Sequence, residues 1–308
     1  MTLIRLANRS EGRGVLAAED DFTRSLGSFD RSFRMRTTAR VDDAALRAFL
    51  GEQALDFTAE EATAWEEAIA TVAAGARGLG RLFPSEVLVV KTTGREERDH
   101  AYTRENAIVL PASRVQGLRG ERAFRMLAHE LFHIASRTSP SLRDATYALL
   151  GFSKIGPIAP PPELDDRRMT NPDAHALSHY LRIGARAFVP LLTCPLPLAD
   201  VLERTSVLGV MRVTLLAIDP DAERVVRDAS GAPVLVDPET TDWSKRLARN
   251  TAYTIHPEEV LADNLSLVVR RRLGTEASPS DPAFLVAFEQ ALAEHIAFAP
   301  DRASRVGI

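Results

Sequence analysis

His129 and Glu130 stand side by side, and His133 follows in the stretch RMLAHELFHIAS, residues 125–136. Positions i and i+4 of an α-helix lie one turn apart on the same face. Both imidazoles can then point at one zinc ion, with nitrogens about 2.0–2.1 Å from it. Glu130 sits about 100° further round the helix. From there its carboxylate reaches a zinc-bound water without entering the coordination shell, as the general base of metal-assisted hydrolysis must. Met126, Leu127, Leu131, Phe132 and Ile134 are all uncharged, so this helix can lie deep in the fold. The bland alternative is a buried helix whose imidazoles satisfy local hydrogen bonds.

A hydrolytic zinc site has three protein ligands and one open position. Ser136 and Ser139 stand where an extended motif would carry Gly and a third His, and the inverted HxxEH motif is absent. Asp144, in RDATY, is one option for the third ligand. The preferred one lies in NTAYTIHPEEVLADNLSLVV, residues 250–269. Pro257 suits the first turn of a helix, which places Glu259 and Asp263 one turn apart on one face. Glu259 can give zinc a carboxylate oxygen. Asp263 can accept the free ring N–H of a ligating histidine, which fixes its tautomer. Glu258 is read as a charge complementing the helix N-terminus.

HExxH followed much later by a helix bearing ExxxD resembles the gluzincin group of zinc metallopeptidases, whose best-known members are thermolysin-like. The resemblance implies a zincin-like fold, with His129, His133 and Glu259 as metal ligands, Glu130 as catalytic base and Asp263 behind a ligand. It covers about thirty residues in two helices, and their separation is longer than is common in that group. Zincin peptidases bind substrate along an exposed sheet edge ahead of the metal helix. NAIVL is the candidate edge, with Asn106, Ala107, Ile108 and Val109 as substrate-binding residues. A donor for a developing oxyanion is sought in Tyr253 first and His256 second, with His179 and Tyr180 as further candidates. His100 and His295 are read as surface or packing residues.

The elements that must position these groups are mixed. Residues 42–78 read as helix in at least two pieces, with TAEE from Thr58 as a capping box. EVLVV (86–90) and NAIVLP (106–111) read as strands, and a helix from about 121 to 136 carries the histidines, with a second helix over SLRDATYALL. The proline-rich stretch 151–173 reads as a long loop, a candidate cover for the site, or as a linker between lobes. Beyond it AFVPLL, MRVTLLAI and APVLV read as strands, and the chain closes on helices at PEEVLADNLSLVVRRRLG and DPAFLVAFEQALAEHI. The fold class expected is α+β, with an active-site helix, a mixed sheet and a helical C-terminal part. Two lobes of one catalytic unit are expected: 1–152 with the metal-binding helix, and 153–308 with the β-rich middle and the third-ligand helix.

Composition narrows the partners. A chain of 308 residues with 45% hydrophobic content can bury a substantial core. Its 38 basic and 42 acidic residues leave a net charge of −4 and no basic footprint, so nucleic acid is not an expected partner. Arg270, Arg271 and Arg272 complement a helix C-terminus. Cys194 is the lone cysteine, which excludes a cysteine-based metal cluster and fits a reducing compartment. No apolar run suggests a signal peptide or a membrane span, so the expected location is cytoplasmic. These readings converge on a zinc-dependent metallopeptidase acting on peptide or protein substrates. A structural zinc protein and a zinc hydrolase of a non-peptide bond are the alternatives.

Overall fold

The computed structural model describes residues 2–204, 209–275 and 278–298. After strand β1 (Leu3–Leu6), short helices follow: α1 (Arg9–Ala17), α2 (Asp21–Ser25), α3 (Ser28–Met35) and α4 (Asp43–Glu52). Side chains start three of them. Asn8 accepts from Glu11 N–H, Asp20 from Thr23 N–H and Asp42 from Ala45 N–H, pairing donors that a first turn leaves open. The sequence reading placed no element before residue 42, because such short helices give an apolar period little length in which to show itself. The longer α5 (Ala59–Gly75) begins at the capping box of Thr58 and Glu61.

The first sheet is mixed. Strands β1, β3 (Glu86–Thr92) and β5 (Ala107–Pro111) run parallel, and β4 (Tyr102–Arg104) closes the far side antiparallel to β5; the short β2 (Ala54–Leu55) also pairs with β3. Side chains alternate across it. Val87, Val89, Ile108 and Leu110 pack in one cluster with α5 and the metal-motif helix, while Leu88, Val90, Ala107 and Val109 pack with Leu16, Phe22, Leu46 and Leu50 from the N-terminal helices. Period-two alternation therefore gives the sheet two apolar faces and a helical layer on each.

Helices α6 (Ala112–Gly117), α7 (Gly120–Thr138) and α8 (Pro140–Leu149) follow. The stretch 151–173 is less irregular than its prolines suggest: it holds β6 (Phe152–Lys154), a 3-10 turn and β7 (Arg168–Met169). With β8 (His179–Ile183), β9 (Arg186–Thr193), β10 (Arg212–Asp219), β11 (Arg224–Val225) and β12 (Leu235–Val236) these make a second, antiparallel sheet. Helices α9 (Leu198–Val201), α10 (Trp243–Leu247), α11 (Pro257–Arg272) and α12 (Pro282–Phe298) complete the described chain. One hydrophobic cluster joins Trp65, Ile108 and Leu131 to Phe188, Leu215, Val260 and Leu285. Gly75 lets α5 approach α11 closely, since a Cβ there would stand 2.6 Å from Val269 Cγ1. The fold is mixed α and β, and among the described residues no helix is long and apolar enough to cross a membrane.

One buried acid in this frame gives a stability prediction. Glu96, in the turn after β3, is 1% exposed, and its Oε2 has no hydrogen-bond partner. Burial raises its pKa from 4.5 to about 7, against hydrogen bonds from Thr92 and its own backbone that work to lower it. The folded state therefore holds a proton that the unfolded chain releases at lower pH. The stability this proton confers is complete below pH ~4.5 and is lost as pH rises to ~7. Glu96→Gln should flatten that loss. Between pH 5 and 8 the parent's unfolding free energy should fall by on the order of 2 kcal/mol more than the variant's. Parallel urea-melt curves across that range would count against it.

Candidate metal centre

Helices α7 and α11 pack against each other and bring the two motifs together. Pro257 occupies the first turn of α11, so Glu258, Glu259 and Asp263 all start from a helix whose entry is fixed. His129 Nδ1 donates to Asp263 Oδ1 at 2.9 Å, and His133 Nδ1 lies 3.1 Å from Glu258 Oε1. With both Nδ1 atoms engaged by carboxylates, both Nε2 atoms are left to face Glu259. His129 Nε2 stands 3.3 Å and His133 Nε2 3.7 Å from Glu259 Oε2. His129, His133 and Glu259 each offer an atom within 4.8 Å of the others. Ligands 2.0–2.1 Å from a tetrahedral ion stand roughly 3.3 Å apart, so the observed spacing suits one.

The electrostatics agree with the geometry. Burial works to lower His129, but its bonds to Asp263 and Glu259 outweigh this and hold its pKa well up. Burial likewise opposes His133, and Asp173 and Glu259 raise it to about 9. Glu259 is lowered to about 2: burial would raise it, and His133, His129 and the Asn171 amide overcome that. The cluster thus favours positive charge at its centre, whether proton or metal cation. Two imidazoles and a carboxylate are the donor set that zinc takes.

Glu130 lies beside this triangle. It is 3% exposed, and its Oε2 is buried without a partner. Burial and the nearby Asp173 raise its pKa to about 7, against the lowering influence of His129 and His133. An unpartnered carboxyl oxygen with that affinity for a proton is suited to general-base work. His129, Glu130, His133, Glu259, Asp263 and Tyr253 all line one cavity of about 410 Å³. Tyr253 is held protonated, since burial and then Glu259 raise its pKa.

Several sequence expectations are corrected here. The β5 strand is interior, paired on both sides, and Ala107, Ile108 and Val109 are fully buried. Asn106 caps its start by donating from Nδ2 to Glu86 O. None of these four residues lines the cavity that holds the metal motif. The edge on this side of the sheet is β4, and there the Thr103 N–H already donates to Asp173 Oδ1 at 2.9 Å. A hydrophobic run marks a strand but does not say which neighbour it has. His256 does not line the cavity. It is the N-cap of α11, its Nδ1 accepting from Glu258 N–H at 3.1 Å, and burial lowers its pKa to about 3. Asp144 is taken by His179, at 3.0 Å, and by Lys154, which removes it as a ligand. His179 packs on Tyr147 at 4.7 Å instead of facing the cavity, and Tyr180 follows it on β8. His100, read as a surface or packing residue, lines the cavity; His295 bonds Ser139 Oγ.

Three residues escaped the sequence reading. Glu258 is 1% exposed and does more than complement a helix end. Besides His133, it accepts from Ser136 Oγ at 2.9 Å and from the Tyr147 hydroxyl at 2.6 Å. Ser136 follows His133 by one helical turn, and that shared face was the only available hint. Asn171 donates to Glu259 Oε1 at 2.8 Å, and Asp173 stands near Glu130 and His133. Both come from the end of the proline-rich stretch. Comparison of the chain with protein-family models, with curated proteins and with solved structures finds no match in any of the three.

Proposed function

We propose that this chain is a zinc-dependent metallopeptidase of zincin-like fold. The observation that carries the reading is the convergence of His129 Nε2, His133 Nε2 and Glu259 Oε2 beside an unpartnered buried oxygen of Glu130. His129, His133 and Glu259 would hold the ion. A divalent cation there supplies Lewis acidity, acidifying water and polarising a carbonyl. Asp263 and Glu258 hold the two imidazoles in the Nδ1–H tautomer and so keep each Nε2 lone pair available. Glu130 takes a proton at Oε2 from the attacking water and passes it to the departing amine nitrogen. Tyr253, protonated on the cavity wall, donates to the oxygen on which negative charge develops.

The test is metal content and cleavage together. Mass spectrometry of the purified chain should find one zinc per chain. A peptide library should yield cleavage products that disappear with a chelator and return with added zinc. Zinc without cleavage would favour a structural site, for which Asp173, grouped with His133, offers a further carboxylate. Absence of bound zinc after reconstitution would end the proposal. Within it, Glu258→Gln should weaken zinc binding by about 10–100-fold, the usual effect of losing a ligand's hydrogen-bond partner. A chelator-competition titration reads that directly, and unchanged affinity would reduce Glu258 to a packing role.

A further inference from the structure

Arg114 on α6, with Arg122 and Arg125 on the first two turns of α7, lines the same cavity as the candidate metal centre. All three are exposed, and among the described residues none has a carboxylate partner. Several other arginines are ion-paired within the fold. Arg34, also on the cavity wall, is paired with Glu97 and Asp30, and Arg270, Arg271 and Arg272 are paired with Glu121 or Glu289. Arg122 also stands in the first turn of α7, the positive end of the helix, where a cation is disfavoured. Among the described residues its side-chain hydrogen bond is a 3.4 Å contact to Gly117 O and no carboxylate pairs with it, so a ligand carboxylate is the natural source of compensation. His100, on the same wall, lies within electrostatic range of both Arg114 and Glu259. The cavity also presents an apolar surface of Phe33, Met169, Leu192 and Met211, and its carboxylates, Glu97 and Asp173 with those of the metal centre, are paired with Arg34, Arg137 or the histidines or stand beside them.

We propose that Arg114, Arg122 and Arg125 form a carboxylate-recognition wall, so that the cavity selects acidic peptides whose apolar side chains occupy the Phe33–Met169–Leu192–Met211 surface. As a statement about substrate this rests on the peptidase reading above; as a statement about binding it does not need hydrolysis. Guanidinium groups suit the task because each presents a planar pair of donors to a carboxylate. The carboxylate can belong to an Asp or Glu side chain or to a peptide's C-terminus.

Fluorescence anisotropy with three labelled decapeptides tests this, using the Glu130→Gln chain so that no peptide is consumed. One carries Glu at alternate positions and an amidated end, the second carries Gln there and an amidated end, and the third carries Gln and a free C-terminal carboxylate. At low salt the Glu peptide or the free-acid peptide should bind at least ~10-fold more tightly than the amidated Gln peptide, and which of them does so identifies the carboxylate. In Arg114→Gln/Arg122→Gln/Arg125→Gln, with circular dichroism and zinc content unchanged, that preference should vanish. If the triple variant folds poorly, single Arg→Gln variants should each lose about 2–5-fold. Equal affinity for all three peptides, including no measurable binding of any, overturns the proposal, as does a preference that survives the substitutions. Failure of the parent chain to cleave any peptide would count against the peptidase reading alone.

Discussion

Glu130→Gln should leave zinc bound and lower kcat on any cleavable peptide by about 10²–10⁴-fold, the range that general acid–base catalysis contributes. The substitution keeps the shape of the side chain and removes its capacity to take up a proton. Glu130 is not among the three atoms that converge at the centre, and its Oε2 has no hydrogen bond to lose. Metal affinity should therefore change little. The loss should fall on kcat more than on KM, because the proton is transferred in the transition state. Turnover at the parental rate would remove Glu130 from the mechanism. Loss of zinc on substitution would instead show Glu130 acting as a ligand, in the alternative group it forms with His133 and Asp173.

Glu259→Ala should cost more than about 100-fold in zinc affinity, beyond the effect of losing an outer hydrogen-bonding partner. Among the described residues Glu259 is the one carboxylate paired with both Nε2 atoms, and it is buried. Its removal takes away the anion that draws positive charge to the centre, and it leaves the Asn171 amide without its acceptor. In the metal-free protein, the His129 and His133 pKa values should fall, because Glu259 helps to raise both. Zinc retention is read by mass spectrometry after a mild chelator wash, and the histidine titrations by NMR. Full zinc retention would transfer the third-ligand role to another carboxylate, with Asp173 the first to test. Asp263→Asn should give a smaller loss, since it alters the orientation and basicity of His129 without removing a donor to the ion.

Much of the candidate site was legible because it depends on local periodicity. The i, i+4 spacing of His129 and His133, and of Glu259 and Asp263, is a property of any helix, and the apolar flanks of the first motif identify that helix. Pro257 marks where the second begins. Glu258 shows the limit of such reading. Next to a helix start, an acidic residue looks like a dipole complement, and only the packing of α7 and α8 against α11 reveals Ser136, His133 and Tyr147 gathered on it. His256 fails in the opposite sense. Its proximity in sequence to Glu259 suggested a shared site, yet as the N-cap it is turned to Glu258 N–H and lies outside the cavity.

The sheet makes the same point. NAIVL reads correctly as a strand, but its position in the sheet depends on β3 and β4, and the real edge is a three-residue strand too short to announce itself. The amide that this edge exposes is already bonded to Asp173, which arrives from seventy residues away. What the sequence determined by itself was therefore the set of groups sharing a helical face, the mixed α and β character, and the overall charge balance. What only the tertiary structure decided was which carboxylate meets which imidazole, which strand is the edge, and which arginines stand unpaired on the cavity wall. Helical and strand periods act over a few residues and are written in the chain. The partners of a buried polar group are chosen by packing between distant elements, where burial makes each unpaired donor or acceptor costly.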